Sequence, residues 1–266
     1  MLAEQITSRQ NPLIKRAIQI RVGNEPGFMF VEGARLVDEA IAAGASIESI
    51  IYTSAFAETD RGKLLFARVA RMHFRGALVP EQIMHAICDT ESPQGIVALA
   101  AQPRAELDDV FTGDAPLVVV VDGLQDPGNL GAIIRAAEAG GAAGVVTTPG
   151  TVEPFSPKAL RASMGSAFRL PVVRRAVVEA VVAAARENGC TVLAALTHGE
   201  VRYTDADWRR PTVVLIGNEG AGLSPDALAL ADETVAIPIA SAVESLNAAM
   251  AATVLVFEAA RQRRKD

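Results

Sequence analysis

The sequence is poor in the residues that build disulfide frameworks and metal sites. Its 266 residues include 2 cysteines and 3 histidines. Cys88 and Cys190 lie far apart and form no CxxC pair, which argues against a disulfide framework or a zinc site. The histidines, His73, His85 and His198, lack the spacing of metal ligands. We therefore expect a protein that works without a bound metal.

Long apolar runs and internal repeats are also missing. Apolar stretches such as 248–257 are too short to span a bilayer. No fixed repeat runs through the chain, which excludes collagen-like and coiled-coil architectures. The N-terminal residues have no apolar signal-peptide core, so we expect a cytoplasmic protein with no membrane partner.

What the sequence does have is apolar surface for sizeable cores. Hydrophobic residues make up 50% of the chain and charged residues 21%, which excludes a disordered protein. The net charge of -6 argues mildly against a nucleic-acid partner. Binding depends on where the positive charge lies, however, and not on the total alone.

The basic residues are concentrated in two places. One cluster near the N-terminus consists of Arg9, Lys15, Arg16 and Arg21. The other lies in 157–175, which contains no acidic residue and carries Lys158, Arg161, Arg169, Arg174 and Arg175. Such runs are usually solvated faces, and they are also the pattern of patches that contact phosphates. Composition alone does not decide between the two.

Hydrophobic patterning divides the chain into two domains. Residues 1–101 have the pattern of a small mixed α/β unit. Residues 102–116 are polar, with prolines and a glycine, and are predicted to be a linker. From 117 to 266, apolar β-branched runs such as Leu117–Val121 alternate with helical patterns. This alternation predicts an α/β domain with a parallel sheet covered by helices.

The first segment that can carry chemistry, DPGNLGAIIRAAEAGG, begins at Asp126. Asp126 is suited to cap a helix whose first residue is Pro127. Asn129 then lies in the first turn, beyond the carboxyl end of a strand, where ligands of α/β sheets bind. Gly131 and Arg135 are four residues apart and share a helix face. An ordinary amphipathic helix with an exposed arginine has the same spacing.

A second segment, VVLIGNEGAGLSP, runs from a strand into a glycine-rich turn. Gly217 and Gly222 have the spacing of a Walker A loop, but Leu223 replaces the required lysine. The glycines also do not follow the GxGxxG pattern of dinucleotide sites. Glu219 is the unusual feature, because a carboxylate among exposed backbone amides can orient a polar ligand.

A third segment, IPIASAVESLNAAMAATVLVFEAARQR, begins at residue 237 and has the pattern of a strand, a short loop and a long helix. Ser245, Leu246 and Asn247 fall at the helix start, where backbone N–H groups are free. The alanines that follow leave a smooth face that another helix can approach closely. A well-capped, strongly helix-forming segment explains these alanines equally well.

In order and spacing, the three segments resemble the three motifs of the SpoU (TrmH) RNA 2′-O-ribose methyltransferases of the SPOUT class. The residues that match are Asn129, Gly131 and Arg135 in the first, Gly217, Asn218, Glu219 and Gly220 in the second, and Ile237, Pro238, Ser245, Leu246 and Asn247 in the third. TSRQNPLIKRAIQI and FVEGARLVDEAIAAG, near the N-terminus, are similar to the substrate-binding domain of rRNA-modifying members.

The resemblance implies a fold and a cofactor. Members of this family fold the C-terminal α/β domain around a trefoil knot and form homodimers through it. They bind S-adenosylmethionine among the knotted loops, which here implies a cofactor set of Leu196, Thr197, Gly217, Asn218, Gly220, Ile237, Pro238 and Leu246.

The resemblance also implies a reaction: methylation of a ribose 2′-hydroxyl in RNA, with 23S rRNA the expected substrate. The implied catalytic residues are Asn129, Arg135, Glu219, Ser245 and Asn247. The residues expected to bind RNA are Arg9, Lys15, Arg16, Arg21, Lys158, Arg161 and Arg169. A tRNA methyltransferase and a non-catalytic RNA-binding protein of the same fold are the alternatives.

Overall fold

The computed structural model describes residues 3–70, 72–240 and 243–264. Two residues of the third segment, Ser241 and Ala242, lie outside the described residues. The chain forms two compact units. The first consists of residues 1–103 and 155–168, and the second of residues 104–154 and 169–266. The segment 155–168 follows the first motif in sequence but belongs to the first unit. Hydrophobic patterning does not reveal this assignment.

The first unit is built on a five-stranded mixed sheet. The elements up to residue 103 are β1 (Glu4–Gln5), α1 (Pro12–Arg21), β2 (Phe28–Glu32), α2 (Ala34–Ala42), β3 (Ile47–Tyr52), α3 (Ser54–Glu58), α4 (Asp60–Val69), β4 (Arg75–Leu78), α5 (Glu81–Ile87) and β5 (Ile96–Ala101). The strand order is β1-β4-β3-β5-β2, and β5 runs antiparallel to both of its neighbours. Ile14, Phe30, Ile51 and Met84 lie in one hydrophobic core of this unit.

The second unit is built on a seven-stranded sheet. From residue 104 onward the elements are α6 (Leu107–Val110), β6 (Leu117–Val121), α7 (Pro127–Ala139), β7 (Gly144–Thr147), α8 (Pro157–Ser163), α9 (Ser166–Arg169), β8 (Val172–Val173), α10 (Val178–Glu187), β9 (Thr191–Leu196), β10 (Val201–Arg202), β11 (Thr212–Ile216), α11 (Pro225–Ala229), β12 (Glu233–Ala236) and α12 (Ala248–Arg263). Of these elements, α8 and residues 166–168 of α9 belong to the first unit. The strand order of the second unit's sheet is β10-β12-β9-β11-β6-β7-β8.

Every pairing in this second sheet is parallel, which confirms the predicted α/β architecture. The central strands β6 and β11 are buried along their whole length. Continuous β-branched runs suit such strands, because helices cover both faces of the sheet. The trefoil knot that the resemblance implies stays a prediction.

The polar stretch 102–116 is partly folded. It contains α6, whose N-terminus carries a reciprocal capping box between Glu106 and Asp109. Val110 is fully buried and Phe111 is 8% exposed, and both belong to a hydrophobic core of the second unit. Polar and charged residues surround Val110 and Phe111 in the sequence, so composition alone predicted a linker here.

The last helix, α12, packs against α7 of the same unit. Its alanines at 248, 249, 252 and 259 are buried, so the smooth face meets its own chain and is not free for another helix. The approach is close at Gly140, where a Cβ would lie 2.2 Å from Val256 Cγ1. Among the described residues, no helix is long and apolar enough to cross a membrane.

Candidate functional site

The candidate site lies at the carboxyl edge of the parallel sheet, where β6 and β11 end side by side. Beyond β6, Asp126 caps α7 by accepting a hydrogen bond from the Asn129 N–H at 2.9 Å. Pro127 occupies the first turn, as predicted. Beyond β11, the chain enters the glycine-rich turn at Gly217. The topology therefore brings the first two motifs together at one edge, as expected for a ligand site in an α/β sheet.

The glycine-rich turn is held in shape by close packing of its backbone and by the side chain of Asn218. The turn folds back so closely that a Cβ on Gly217 would lie 2.3 Å from the carbonyl carbon of Gly222. Asn218 Oδ1 accepts hydrogen bonds from the N–H groups of Gly220 at 2.8 Å and Ala221 at 3.2 Å. Its Nδ2 donates to the Gly123 carbonyl at 3.0 Å. Between Asn218 and Gly220, the turn presents the exposed Glu219.

A chain of hydrogen bonds joins the three motifs. Asn247 Nδ2 donates to Asn129 Oδ1 at 3.1 Å, and Asn129 Nδ2 donates to Glu219 Oε1. Asn247 also caps α12, because its Oδ1 accepts from the N–H groups of Ala249 and Met250. One residue from each motif is thus fixed relative to the other two.

A cavity of about 350 Å³ opens beside this hydrogen-bonded chain. The predicted cofactor residues that line it are Leu196, Thr197, Gly217, Asn218, Gly220, Ile237 and Leu246, and the predicted catalytic residues Glu219 and Ser245 line it too. Val235, Ala251 and Leu255 add apolar wall. Pro238 lies instead in a neighbouring cavity, which shares Thr197 with the first.

Arg135 stands apart from the cavity. It is exposed on α7, one turn beyond the buried Gly131, and does not line the 350 Å³ cavity. Within the described residues its guanidinium has no hydrogen-bond or ion-pair partner in the chain. Arg135 is therefore available to a ligand outside the cavity.

Asp122 is a residue of this site that the sequence analysis did not single out. It follows β6 and is buried, with Oδ1 accepting from the Thr148 hydroxyl at 2.6 Å and Oδ2 from the Ser224 N–H at 2.8 Å. Burial alone would raise the pKa of Asp122, but these hydrogen bonds outweigh it and hold the pKa below its usual value. Ser224 follows the glycine-rich turn, so Asp122 fixes the return of that turn. An acidic residue directly after a buried strand is the signal that marks it.

The N-terminal basic cluster is bound to its own unit at three of its four residues. Arg9 donates to the Gln82 carbonyl and Arg21 to the carbonyls of Ile87 and Cys88. Two carboxylates hold Arg16, those of Glu48 and Glu25. The hydrogen bonds that Arg16 donates to Glu48 are the main cause that raises the pKa of Arg16. Lys15 is exposed on α1.

The second basic run is spread over both units. Arg161 contacts Asp89 at 2.8 Å and the buried Glu32 at 3.7 Å, all within the first unit. Arg169 contacts Glu138 at 2.6 Å in the second unit. Lys158 is exposed on α8. The acidic partners come from distant parts of the sequence, so the run 157–175 alone could not reveal them.

In the described part of the chain, no group of three or more His, Cys, Asp or Glu side chains is arranged to hold a metal ion. The site is therefore described by its cavity, its hydrogen-bonded asparagines and Glu219.

Comparison with known proteins identifies both parts of the chain. Residues 116–257 match the SpoU rRNA Methylase family, and residues 6–98 match the MRM3-like substrate binding domain. The chain is 35% identical over 271 residues to a 23S rRNA (uridine(2479)-2′-O)-methyltransferase of Streptomyces viridochromogenes, covering 98% of this chain and 93% of the relative. It is 30% identical over 260 residues to a 23S rRNA (guanosine(2553)-2′-O)-methyltransferase of Bacillus subtilis, covering 96% and 98%.

Solved structures of similar proteins point to the same family. The SpoU methyltransferase AviRb from Streptomyces viridochromogenes, in complex with the cofactor AdoMet, superposes with a TM-score of 0.87 at 31% identity, covering 96% of this chain and 98% of that one. An AdoMet-bound rRNA methyltransferase from Sinorhizobium meliloti gives 0.87 at 32% identity, covering 97% and 98%. The matched motifs, the parallel sheet and these relatives lead to one conclusion: the chain belongs to the SpoU rRNA Methylase family.

Proposed function

We propose that this protein is an S-adenosylmethionine-dependent methyltransferase that methylates a ribose 2′-hydroxyl in 23S rRNA, in the cytoplasm. The observation that carries the proposal is the hydrogen-bonded chain Asn247–Asn129–Glu219, whose last residue lines the cavity. The relatives named for 23S rRNA favour rRNA over tRNA as the substrate.

The cavity fits the cofactor in size and chemistry. Its volume of about 350 Å³ falls within the range of small-molecule sites, about 300–1,000 Å³. Leu196, Ile237 and Leu246 offer apolar walls for an adenine ring, and the turn from Gly217 to Gly220 exposes backbone groups to its polar edge. Pro238 lines the neighbouring cavity, which shares Thr197 and Ile239 with the first. When bound, S-adenosylmethionine supplies a methyl group on a positively charged sulfur.

The protein's part in the reaction is to hold the ribose hydroxyl in line and to assist loss of its proton. Asn129 and Asn247 keep the Glu219 carboxylate in place, and Ser245 offers a hydroxyl at the cavity wall. An arginine is a poor base at its ordinary pKa, so Arg135 acts by binding and orienting RNA and by stabilising negative charge.

RNA is held by the basic residues of both units in this proposal. Lys15 and Lys158 are exposed. Arg9, Arg16, Arg21, Arg161 and Arg169 exchange part of their contacts with carbonyls and carboxylates for contacts with phosphates. Because phosphate contacts release counterions, they make binding depend on salt.

The functional form is a homodimer through the second unit. Met250 is 63% exposed and Phe257 is 45% exposed. The two residues lie about two helical turns apart on α12. Apolar side chains placed this way suit a helix that meets a second copy.

Light scattering on wild type and on Met250→Asp tests the dimer. The control is Leu228→Asp, which changes an exposed leucine on α11. A dimer mass that falls only with Met250→Asp is expected; a monomeric wild type would contradict the proposal.

Methyl transfer to RNA tests the enzymatic proposal. Purified protein with S-adenosylmethionine carrying a labelled methyl group should label 23S rRNA and leave tRNA unlabelled. Arg135→Ala should lose transfer while it keeps cofactor affinity in calorimetry, because Arg135 lies outside the cavity. Label in tRNA alone would reassign the substrate, and a cofactor affinity lost together with activity would contradict the role of Arg135.

A further inference from the structure

A pair of adjacent arginines lies at the same edge of the sheet as the candidate site. Arg174 and Arg175 directly follow β8, the last strand in the order β11-β6-β7-β8. All these strands are parallel, so their carboxyl ends share one edge. With strands about 4.8 Å apart, the pair lies about 10 Å along this edge from the end of β6 and about 14 Å from that of β11. The site described above occupies the ends of β6 and β11.

The backbone at this pair directs both guanidinium groups to one place. Arg175 has a φ of 53°, a left-handed conformation that residues other than glycine seldom adopt. It is held there by hydrogen bonds from the Arg175 N–H to Thr147 Oγ1 and from the Ala176 N–H to the Thr147 carbonyl. In extended backbone, consecutive side chains point to opposite faces. Here both converge on the same side.

Both guanidinium groups contact one carboxylate. Arg175 Nη2 lies 2.6 Å from Glu153 Oε1, and Arg174 Nη1 lies 3.5 Å from Glu153 Oε2. The side chain of Arg175 is 69% exposed and that of Arg174 is 36% exposed, so a phosphate can reach both guanidinium groups from solvent.

We infer that Arg174 and Arg175 bind the phosphates of RNA nucleotides next to the methylated one, where the strand continues from the site across the ends of β7 and β8. The inference rests on the proposed function. Guanidinium groups match phosphate geometry and bind it through paired N–H donors. Such contacts carry no sequence information and fix the register of the strand over the site. Glu153 keeps the two side chains extended in the absence of RNA.

The chain offers a matched control for this pair. Arg209 and Arg210 are also adjacent, also share one carboxylate, that of Asp207, and are 72% and 73% exposed. They precede β11 and therefore lie at the opposite, amino edge of the same sheet. Replacing either pair removes the same charge from the same unit, but only one pair lies at the edge of the site.

The experiment compares Arg174→Gln/Arg175→Gln with Arg209→Gln/Arg210→Gln. The dissociation constant for a labelled single-stranded RNA oligonucleotide and for a 23S rRNA transcript is measured over a range of KCl concentrations. The first variant should bind roughly tenfold more weakly, and its log–log salt slope should flatten by about 1.4, because each phosphate contact on a single strand contributes about 0.7. The second variant should match wild type. Glu153→Gln should act in the opposite direction and tighten RNA binding.

Cofactor affinity and turnover separate this inference from the proposed function. All variants should keep the wild-type dissociation constant for S-adenosylmethionine, and the first should raise the KM for RNA with kcat little changed. If wild type methylates 23S rRNA but the two double variants show equal salt slopes, the inference is wrong and the proposed function stands. If wild type neither binds the cofactor nor transfers a methyl group, both fail.

Discussion

Asn247 donates a hydrogen bond from Nδ2 to Oδ1 of Asn129 at 3.1 Å across a separation of 118 residues. Asn129 in turn donates a hydrogen bond from Nδ2 to the Glu219 carboxylate. Each amide uses its oxygen and its nitrogen for different partners, so neither asparagine can flip without losing a contact. The position of the Glu219 carboxylate therefore depends on both asparagines.

Replacing Asn129 with Asp should lower kcat for methyl transfer about 10- to 100-fold. The new carboxylate can still accept from Asn247, but it removes the donor to Glu219 and places like charges together. Hydrogen bonds to charged groups are worth about 1.5–3 kcal/mol, and about 1.4 kcal/mol corresponds to tenfold in rate. Steady-state kinetics at saturating cofactor measures the effect.

The control for this variant is Asn188→Asp, which makes the same chemical change at the end of α10. Its kcat should equal that of wild type. A full kcat in Asn129→Asp would show that the hydrogen-bonded chain is not part of the reaction.

Replacing Gly217 with Ala should abolish cofactor binding. The added methyl group would lie 2.3 Å from the backbone of Gly222, so the turn that walls the cavity cannot keep its shape. Gly220→Ala is the matched control, because a Cβ there meets only Asn218 Oδ1 at an ordinary 3.5 Å. Calorimetry with S-adenosylmethionine distinguishes the two, and equal affinities would refute this account of the turn.

Asp122→Ala should weaken cofactor binding and destabilise the fold by about 2–3 kcal/mol, because the Ser224 N–H and the Thr148 hydroxyl lose a charged acceptor. Asp122→Asn should keep most of the cofactor affinity and most of the stability that Asp122→Ala loses. Its amide oxygen can accept from Ser224, while the Thr148 hydroxyl rotates to accept from the amide nitrogen. Urea unfolding and calorimetry on the same proteins check this; an Asn variant as weak as the Ala variant would contradict it.

The same aspartate should make stability depend on acid pH. The pKa of Asp122 is lowered from its ordinary value of 3.8 in the folded protein, so ionised Asp122 stabilises the fold. This contribution is fully present above about pH 4 and is lost as the pH falls through the lowered pKa. The free energy of unfolding of wild type should therefore fall more steeply below pH 4 than that of Asp122→Asn. Parallel curves would show that Asp122 does not contribute in this way.

Arg263 should contribute strongly to stability and little to the site. Its guanidinium donates to the carbonyls of Trp208 at 2.6 Å, Ala115 at 2.7 Å and Arg210 at 2.9 Å. Burial lowers the pKa of Arg263. Arg263→Met leaves these carbonyls without their donor and should cost about 2–4 kcal/mol, whereas Arg264→Met, at the exposed next residue, should cost much less. Denaturant unfolding of both variants measures the difference, and equal losses would refute the assignment.

Sequence patterns predicted the second unit well because its signals are local. The apolar run Leu117–Val121 is a buried strand, and the helix Pro127–Ala139 begins where its cap and proline place it. The glycine-rich turn and the cap at Asn247 lie where the motifs indicate. Each of these follows from residues adjacent in the chain.

Long-range contacts escaped prediction because no local pattern encodes them. The segment 155–168 joins the first unit, and Arg161 meets acidic residues from β2 and the turn after α5. The alanines of α12 face α7 within the same chain, since Gly140 allows the close approach. Partners of Asp122 lie 26 and 102 residues away. Only the folded chain brings these groups together.

Nucleotide-resolution mapping of 2′-O-methylation tests directly whether this protein methylates a ribose hydroxyl in 23S rRNA. A 23S rRNA transcript is incubated with S-adenosylmethionine and either wild type or Asn129→Asp, and ribose methylation is read at every position. With wild type we expect a new 2′-O-methyl group that depends on the cofactor, and with Asn129→Asp we expect it to be strongly reduced. A methyl group on a base, or no ribose methylation by folded, cofactor-binding protein on either the transcript or ribosomal precursors, would contradict this activity.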